Sequence, residues 1–351
     1  MSDWRRKKIK ELQKFLEKSG IDSALFVNRH AYLLDPNVFY FTGVDFLTSC
    51  FLVVPKDGDS KLYVPLLDYE RAESSAVEVV AFEKFKHVAL MLKRELRGKK
   101  VGVNGSYFTL GHKRLFRGVK LTDISDFLYS LRSVKVEEEI RRIRKAVKIT
   151  KKGLKEVFEW VKPGVSETQI KARLEYVFSN EGTGGTAFPT IVASGKKTSQ
   201  PHSIPSPNKK VKKGDLLLID CGAKYKGYSA DITRVDVVEG CFTKEQEEVM
   251  EIVKTIQKEA QKFIKPGVKS CEVDELVRGL IMEYGYEPFH SAGHGIGLEI
   301  HESPSFKVDN KGEVVKNGMV FTLEPGIYLP GEFGIRIEDD FLLLNGKVKR
   351  I

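Results

Sequence analysis

Two strongly apolar segments of this chain each end in an acidic residue. Residues 216–220 read Leu-Leu-Leu-Ile-Asp, and residues 319–324 read Met-Val-Phe-Thr-Leu-Glu. Burying an unpaired charge costs several kcal/mol, so each carboxylate needs a partner in the folded protein. Any fold for this chain therefore has to bring counter-charge to the ends of two buried strands.

The first of these segments is followed by a predicted hairpin. Asp231 lies 11 residues after Asp220, and the pair Lys226-Gly227 between them is typical of a tight turn. Folding residues 216–235 about this turn places Asp220 and Asp231 opposite each other within a residue or two. Two carboxylates that lie so close together require a cation, so the hairpin predicts a cation site.

The second segment predicts a similar arrangement. It ends at Pro325-Gly326, and the segment Gly334–Glu338 is expected to return beside it as a second hairpin. Strand alternation places Arg336 and Glu338 on the same face of that returning strand. A lone acid usually forms a salt bridge or caps a turn, whereas acids at matching places in two hairpins indicate a shared function.

A fifth candidate residue, beside the four acids, is a histidine surrounded by glycines. It lies in the segment Ala292-Gly293-His294-Gly295-Ile296-Gly297. Glycine lets another group approach closely, which favours a functional role for His294. Four carboxylates and one neutral imidazole carry a charge of about −4, which balances two divalent cations. Oxygen-rich ligation favours Mn²⁺, Co²⁺, Fe²⁺ or Zn²⁺. Two such ions ~3.5–4 Å apart would hold a bridging hydroxide as the nucleophile.

Composition excludes several other classes of protein. The net charge is +10, but the 58 basic residues are interleaved with 48 acidic ones, so we expect no nucleic-acid partner. No apolar stretch approaches the ~20 residues of a membrane span, so we expect no membrane association.

The charged start of the chain does not resemble a secretory signal, which predicts a cytoplasmic protein. The four cysteines are far apart and indicate neither a disulfide framework nor a zinc ribbon.

The chain is too long for one small domain, and its pattern changes near residue 130. Residues 1–130 alternate helical stretches with apolar strands, which predicts an α/β domain. Residues 131–351 open with a long helical pattern over Val136–Val161 and continue with hairpins and helices, which predicts an α+β domain. The strands expected in the first domain include Ser23–Val27, Cys50–Val54 and Lys61–Val64.

Taken in order, these segments resemble one peptidase family. The chain is similar to the pita-bread metallopeptidases, which include prolidase, aminopeptidase P and methionine aminopeptidase. The resemblance to the Xaa-Pro branch rests on Ala187–Gly195 and Pro201-His202, and Asn37–Gly43 is similar to the amino-terminal domain of creatinase and prolidase. The other matching residues are Asp220, Asp231, the His294 loop, His301-Glu302-Ser303-Pro304, Thr322–Gly326 and Arg336–Asp339.

The resemblance implies a fold and a metal site. It implies a pita-bread catalytic domain over residues 131–351, preceded by a smaller creatinase-like α/β domain over residues 1–130. It also implies two divalent metal ions, with Mn or Co favoured and Zn or Fe as alternatives. The implied ligands are Asp220 for one metal, His294 and Glu324 for the other, and Asp231 and Glu338 for both.

The same resemblance implies catalytic roles. His202 and His301 would flank the metals, stabilise the tetrahedral intermediate and aid proton transfer to the leaving nitrogen. Glu324 is the implied general base for the attacking water. Arg336 would orient a neighbouring acid or histidine, and the alternative for Arg336 is a structural salt bridge.

The implied substrate is a peptide with proline at its second position, cut at the bond before the proline. Dipeptidases of the family can place an arginine just after the His-Glu-x-Pro motif, where it could clamp the substrate's terminal carboxylate. Here that position is Ser305, so the sequence favours an Xaa-Pro aminopeptidase over an Xaa-Pro dipeptidase. Lys307 or a residue of the first domain could instead supply the clamp.

Two further alternatives are a non-catalytic binding protein and a metal-free amidinohydrolase that resembles creatinase. Both are disfavoured because such relatives lose ligands, and all the expected ligands are present here. The resemblance also leads us to expect a homodimer.

Overall fold

A computed structural model describes residues 3–30 and 32–351, and the chain divides into two compact units between Leu131 and Arg132. The first unit contains a six-stranded mixed sheet in the order β4-β3-β2-β1-β5-β6. Its elements are α1 (Asp3–Lys18), β1 (Ser23–Asn28), α2 (Pro36–Thr42), β2 (Cys50–Pro55), β3 (Lys61–Pro65), α3 (Tyr69–Ala72), β4 (Glu78–Phe82), α4 (Phe85–Glu95), β5 (Lys100–Val103), α5 (Leu110–Leu115), β6 (Lys120–Asp123) and α6 (Ser125–Ser133).

Strand β1 is the centre of the first unit's core. It pairs antiparallel with β2 and parallel with β5, and every one of its residues is buried. A strand that is covered by other side chains on both faces is usually a continuous run of apolar residues in the sequence. The α/β class predicted for this part of the chain is confirmed.

The second unit combines long helices with antiparallel sheets, as the predicted α+β class requires. Its helices are α7 (Glu137–Trp160), α8 (Glu167–Asn180), α9 (Lys244–Phe263) and α10 (Ser270–Glu283). Its strands are β7 (Ile191–Ser194), β8 (Leu216–Cys221), β9 (Lys224–Tyr225), β10 (Tyr228–Ser229), β11 (Ile232–Val237), β12 (Gly293–Gly295), β13 (Glu302–Phe306), β14 (Val320–Leu323), β15 (Gly326–Leu329), β16 (Phe333–Arg336), β17 (Asp339–Leu344) and β18 (Lys347–Arg350).

Two larger sheets, in the orders β11-β8-β7 and β13-β12-β14-β17-β18, carry the residues singled out in the sequence. Helix α7 confirms the long helical pattern, because its buried residues, among them Ile140, Ile143 and Val147, recur at the spacing of one helix face. Among the described residues, no helix combines the length and the apolar character needed to cross a bilayer.

The first predicted hairpin is confirmed. Strands β8 and β11 are antiparallel, with Thr233 opposite Asp220, so Asp231 lies two residues from that register position. Lys226 and Gly227 have φ angles of 47° and 85°, which are the values that a two-residue hairpin turn requires.

The second predicted hairpin is confirmed. Strand β14 pairs with β17 and β15 pairs with β16 in one continuous register, in which Leu323 is opposite Asp339 and Gly326 is opposite Arg336. The ladder is interrupted between these two stretches, at Pro325, which has no N–H to donate. Glu324 and Glu338 lie opposite each other at this interruption. Their carboxylates are therefore presented from irregular backbone between two paired stretches.

Candidate metal centre

Three side chains from separate parts of the second unit meet at one point. Ligand atoms of Asp231, His294 and Glu338 all lie within 4.8 Å of one another. The His294 Nε2 atom is 3.5 Å from Asp231 Oδ2 and 3.6 Å from Glu324 Oε1. Four of the five residues expected to bind metal are thus placed together by direct distances.

The orientation of His294 favours a bound cation. Its Nδ1 lies 3.1 Å from the Gly295 carbonyl oxygen, which assigns the proton to Nδ1 and leaves a lone pair on Nε2. Burial lowers the pKa of His294 to about 3, with a further contribution from His301, so the ring is neutral. A lone pair that faces two carboxylate oxygens is repelled by them, and a cation between these atoms removes the repulsion.

The glycines beside His294 admit neighbouring strands. A Cβ atom on Gly293 would lie 2.2 Å from the Thr322 carbonyl oxygen, and one on Gly295 would lie 2.2 Å from the Ser303 carbonyl oxygen. Gly293 also has a φ angle of 151°. These glycines therefore let β13 and β14 pack closely around the short strand that carries His294, which positions the imidazole.

The fifth predicted ligand, Asp220, is held by an arginine. Arg336 Nη2 donates to Asp220 Oδ2 at 2.7 Å. The other oxygen, Asp220 Oδ1, is buried and accepts no hydrogen bond from any described residue, and the same holds for Asp231 Oδ1. Buried carboxylate oxygens without a hydrogen bond are costly, and a coordinated metal ion would satisfy both.

The acidic residues raise one another's pKa values. Burial, followed by repulsion from Asp220, raises the pKa of Glu324 to about 8 against the opposing effect of Arg336. Burial and the neighbouring carboxylates also raise the pKa values of Asp231 and Glu338 well above their usual range. Asp220 contributes to all three shifts, which places it within electrostatic range of the cluster. Without a cation, this part of the fold is a concentration of mutually repelling acids.

Arg336 connects two acids of the cluster, Asp220 and Glu338. Besides its contact with Asp220, its Nε donates to Thr233 Oγ1 at 3.0 Å. The Thr233 hydroxyl in turn donates to Glu338 Oε2 at 2.8 Å. Arg336 is thus both a buried salt-bridge partner and, through Thr233, an orienting contact for a second acid.

The two predicted catalytic histidines lie beside this cluster. The rings of His301 and His294 are in edge-to-face contact, with centroids 4.3 Å apart. Partial burial and the charge of Lys307 lower the pKa of His301. His202 is exposed, and its charge contributes to lowering the pKa values of both His290 and His301. His301 therefore borders the cluster through its contact with His294, and His202 lies within electrostatic range of His290 and His301.

Sequence reasoning missed three residues of the site. Thr233 links Arg336 to Glu338, and the hydroxyl of Tyr328 accepts a hydrogen bond from Arg336 Nη1 at 2.7 Å. His290 Nε2 lies 3.0 Å from the same Tyr328 hydroxyl, and burial lowers the pKa of His290 to about 4. His290 stands four residues before His294, a spacing that could have been noticed. Tyr328 carried no signal, because its position depends on the β15–β16 pairing.

Comparison with known proteins identifies the family. Residues 141–345 match metallopeptidase family M24, and residues 8–134 match the creatinase/prolidase amino-terminal domain. The chain belongs to metallopeptidase family M24 and is a metallopeptidase, which confirms the fold class and the family expected from the sequence.

Three relatives show which members of the family this chain resembles. An Xaa-Pro dipeptidase of Pyrococcus furiosus is 39% identical over 354 residues, covering 99% of this chain and 97% of the relative. The crystal structure of the prolidase from Pyrococcus horikoshii is similar with a TM-score of 0.89 and 35% identity, covering 98% of this chain and 97% of that one. An X-Pro aminopeptidase structure from Thermotoga maritima has a TM-score of 0.87 and 34% identity, covering 97% and 96%.

The relatives favour the dipeptidase alternative over the aminopeptidase that the sequence favoured. Similar chains carry the name Xaa-Pro dipeptidase repeatedly, although an aminopeptidase is also structurally similar. Ser305 was a weak discriminator because one missing arginine does not exclude another cation near the same place.

Proposed function

We propose that this chain is an Xaa-Pro dipeptidase that uses two divalent metal ions, Mn or Co in preference to Zn or Fe. The observation that carries the proposal is the meeting of Asp231, Glu324 and Glu338 with the neutral His294 ring, within electrostatic range of Asp220. The names of the similar proteins supply the substrate class.

The proposed ligand assignment is the one that the family resemblance implies. Asp220 would bind one ion, His294 and Glu324 the other, and Asp231 and Glu338 both. The unpaired oxygens of Asp220 and Asp231 support this assignment, as does the free Nε2 of His294. When bound, the two ions supply Lewis acidity and lower the pKa of a bound water.

The protein's own residues would complete the reaction. Glu324 would accept the proton of the attacking water, the role that the family resemblance implies for it. His202 and His301 would stabilise the negative charge that develops on the scissile carbonyl oxygen and pass a proton to the proline nitrogen as it leaves. Arg336 and Thr233 would hold Asp220 and Glu338 in place through the contacts described above.

The test of this proposal is metal reconstitution. The protein is stripped with a chelator, Mn²⁺, Co²⁺, Zn²⁺ or Fe²⁺ is restored singly, and hydrolysis of an Xaa-Pro dipeptide is compared with that of an Xaa-Pro-Xaa tripeptide. We expect metal-dependent cleavage with a preference for the dipeptide. Preference for the tripeptide would restore the aminopeptidase alternative. Absence of cleavage with every metal would favour the non-catalytic binding protein.

A dipeptide also requires recognition of its free carboxylate, and Lys307 is our candidate. Ser305 lies opposite His294 in the β12–β13 pairing, and Lys307 directly follows Phe306, the last residue of β13. Its charge contributes to the lowered pKa values of both His294 and His301. No ion pair of Lys307 is found within the described part of the chain. A substrate carboxylate would give it one.

We therefore expect Lys307→Met to raise KM for an Xaa-Pro dipeptide by about 10-fold, the loss of a single charge-assisted hydrogen bond. KM for the same dipeptide with an amidated carboxyl end should not change. Lys311→Met, at an exposed lysine on the same loop, is the matched control. An equal effect of Lys307→Met on both substrates would contradict carboxylate recognition by this residue.

Three further expectations belong to the proposal. We propose that the functional domains extend over residues 1–130 and 131–351, that the active protein is a homodimer, and that it works in the cytoplasm. Sedimentation of the metal-loaded protein tests the second of these, and a monomeric active enzyme would contradict it.

A further inference from the structure

The segment that carries His202 is clamped by a buried acid outside the metal centre. Glu167, at the start of α8, is fully buried. One of its oxygens accepts hydrogen bonds from the backbone N–H and the hydroxyl of Ser194, at 3.0 and 2.9 Å. The other oxygen accepts from the Ser206 backbone N–H at 3.0 Å. Ser194 and Ser206 bracket the segment, so a single carboxylate binds both of its ends.

Lys197 extends this clamp into the segment. Its ammonium group donates to Glu167 Oε2 at 2.5 Å and to the Ile204 carbonyl oxygen at 3.0 Å. Ile204 lies only two residues after His202. Because Lys197 joins the buried acid to the backbone beside the histidine, it restricts the position of the His202 main chain.

The segment also contacts the metal centre, through the Pro201 carbonyl group. The Pro201 carbonyl oxygen accepts a hydrogen bond from Arg336 Nη1 at 3.4 Å, and Arg336 also binds Asp220. Within the described residues the His202 side chain itself has no hydrogen bond, and it is exposed. The ring is therefore positioned by its backbone, which Arg336 contacts on one side and Lys197 on the other.

From these contacts we infer that Glu167 and Lys197 are positioning residues for His202, an inference that rests on the proposed function in assigning His202 a role in catalysis. Neither residue contacts the acids of the metal centre. The pair fixes the backbone from which the His202 ring projects before substrate binds. Placement of this kind matters because a displacement of ~1 Å at a reacting group can cost ~10²-fold in rate.

The test uses Lys197→Met, with Lys196→Met as the matched control, since Lys196 is the exposed neighbour on the same segment. We expect Lys197→Met to lower kcat for the dipeptide by ~10–100-fold with little change in KM or in bound metal. Lys197→Arg should recover most of the activity because it restores a cation beside Glu167. Equal kinetics for Lys197→Met and Lys196→Met would overturn the inference.

A double-mutant cycle separates positioning from general stability. If Lys197 acts through His202, Lys197→Met should cause almost no further loss in a His202→Ala background. A full additional loss there would show that Lys197 acts by another route and would overturn the inference.

Hydrogen exchange provides a readout that does not depend on activity. In the metal-free protein, Lys197→Met should accelerate amide exchange in residues 198–206 and leave β8 and α8 unchanged. If the wild type cleaves no Xaa-Pro peptide, the proposed function fails, while the exchange result still decides whether the clamp exists. Unchanged exchange in residues 198–206 would overturn the clamp itself.

Discussion

Replacing Asp231 with asparagine is expected to remove metal-dependent peptidase activity without weakening the metal-free fold. Asparagine keeps the size of the side chain but cannot provide the anionic oxygens proposed to bridge two cations. We expect kcat/KM to fall by at least ~10³-fold, equivalent to ~4 kcal/mol of transition-state stabilisation, and the bound metal to fall below two ions per chain. Elemental analysis and steady-state kinetics measure the two losses.

The same variant is expected to melt at or above the wild-type temperature when both are metal-free. Asp231 is buried among acids that raise its pKa, so a neutral side chain removes repulsion from this cluster. Asp236→Asn, at an exposed acid in strand β11 directly after Asp231, is the control and should alter neither metal content nor activity. Normal metal content and activity in Asp231→Asn would contradict the proposed centre.

The grouping of the acids is predictable from the sequence because burying a charge is costly. Asp220 and Glu324 end strands too apolar to tolerate an unpaired acid, so each requires a partner whatever the fold. The short turn at Lys226-Gly227 determined the register of the first hairpin locally, so the relation of Asp220 to Asp231 was predictable.

The contacts around Arg336 were harder to predict. The second hairpin keeps one register across its interruption, so the placement of Glu324 opposite Glu338 was predictable. The contact of Arg336 with Thr233 joins two hairpins that are far apart in the sequence, and its contact with Tyr328 depends on the exact register of β15 and β16. No pattern along the chain reveals these two contacts.

Substrate choice was harder still. The aminopeptidase preference rested on one absent arginine at Ser305, whereas recognition of a carboxylate depends on any cation whose reach includes the site. A long, flexible lysine such as Lys307 can occupy that role from a different position in the sequence. Length of substrate is therefore poorly encoded by a single residue of a motif.

The metal-free fold is expected to lose stability as pH rises. The folded pKa of Glu324 is raised to about 8 from an ordinary value of 4.5, so its contribution to stability is complete below about pH 4.5 and is lost as pH rises through about 8. Asp231 and Glu338 shift in the same direction. Thermal melts of chelated protein across this range should therefore show a falling melting temperature. Added metal should reverse the fall, because it stabilises the ionised acids.

Metal binding near neutral pH is consequently expected to release protons. At about pH 6.5 the raised pKa values keep part of the cluster protonated, and those protons must leave before the oxygens can bind a cation. Apparent metal affinity should therefore increase with pH and level off above about pH 8–9. Calorimetric titrations in buffers of different ionisation enthalpy count the protons released, and Asp231→Asn should release fewer. A proton count near zero at about pH 6.5 would mean that the acids are already ionised in the metal-free protein, because another cation or a more open arrangement has relieved their repulsion.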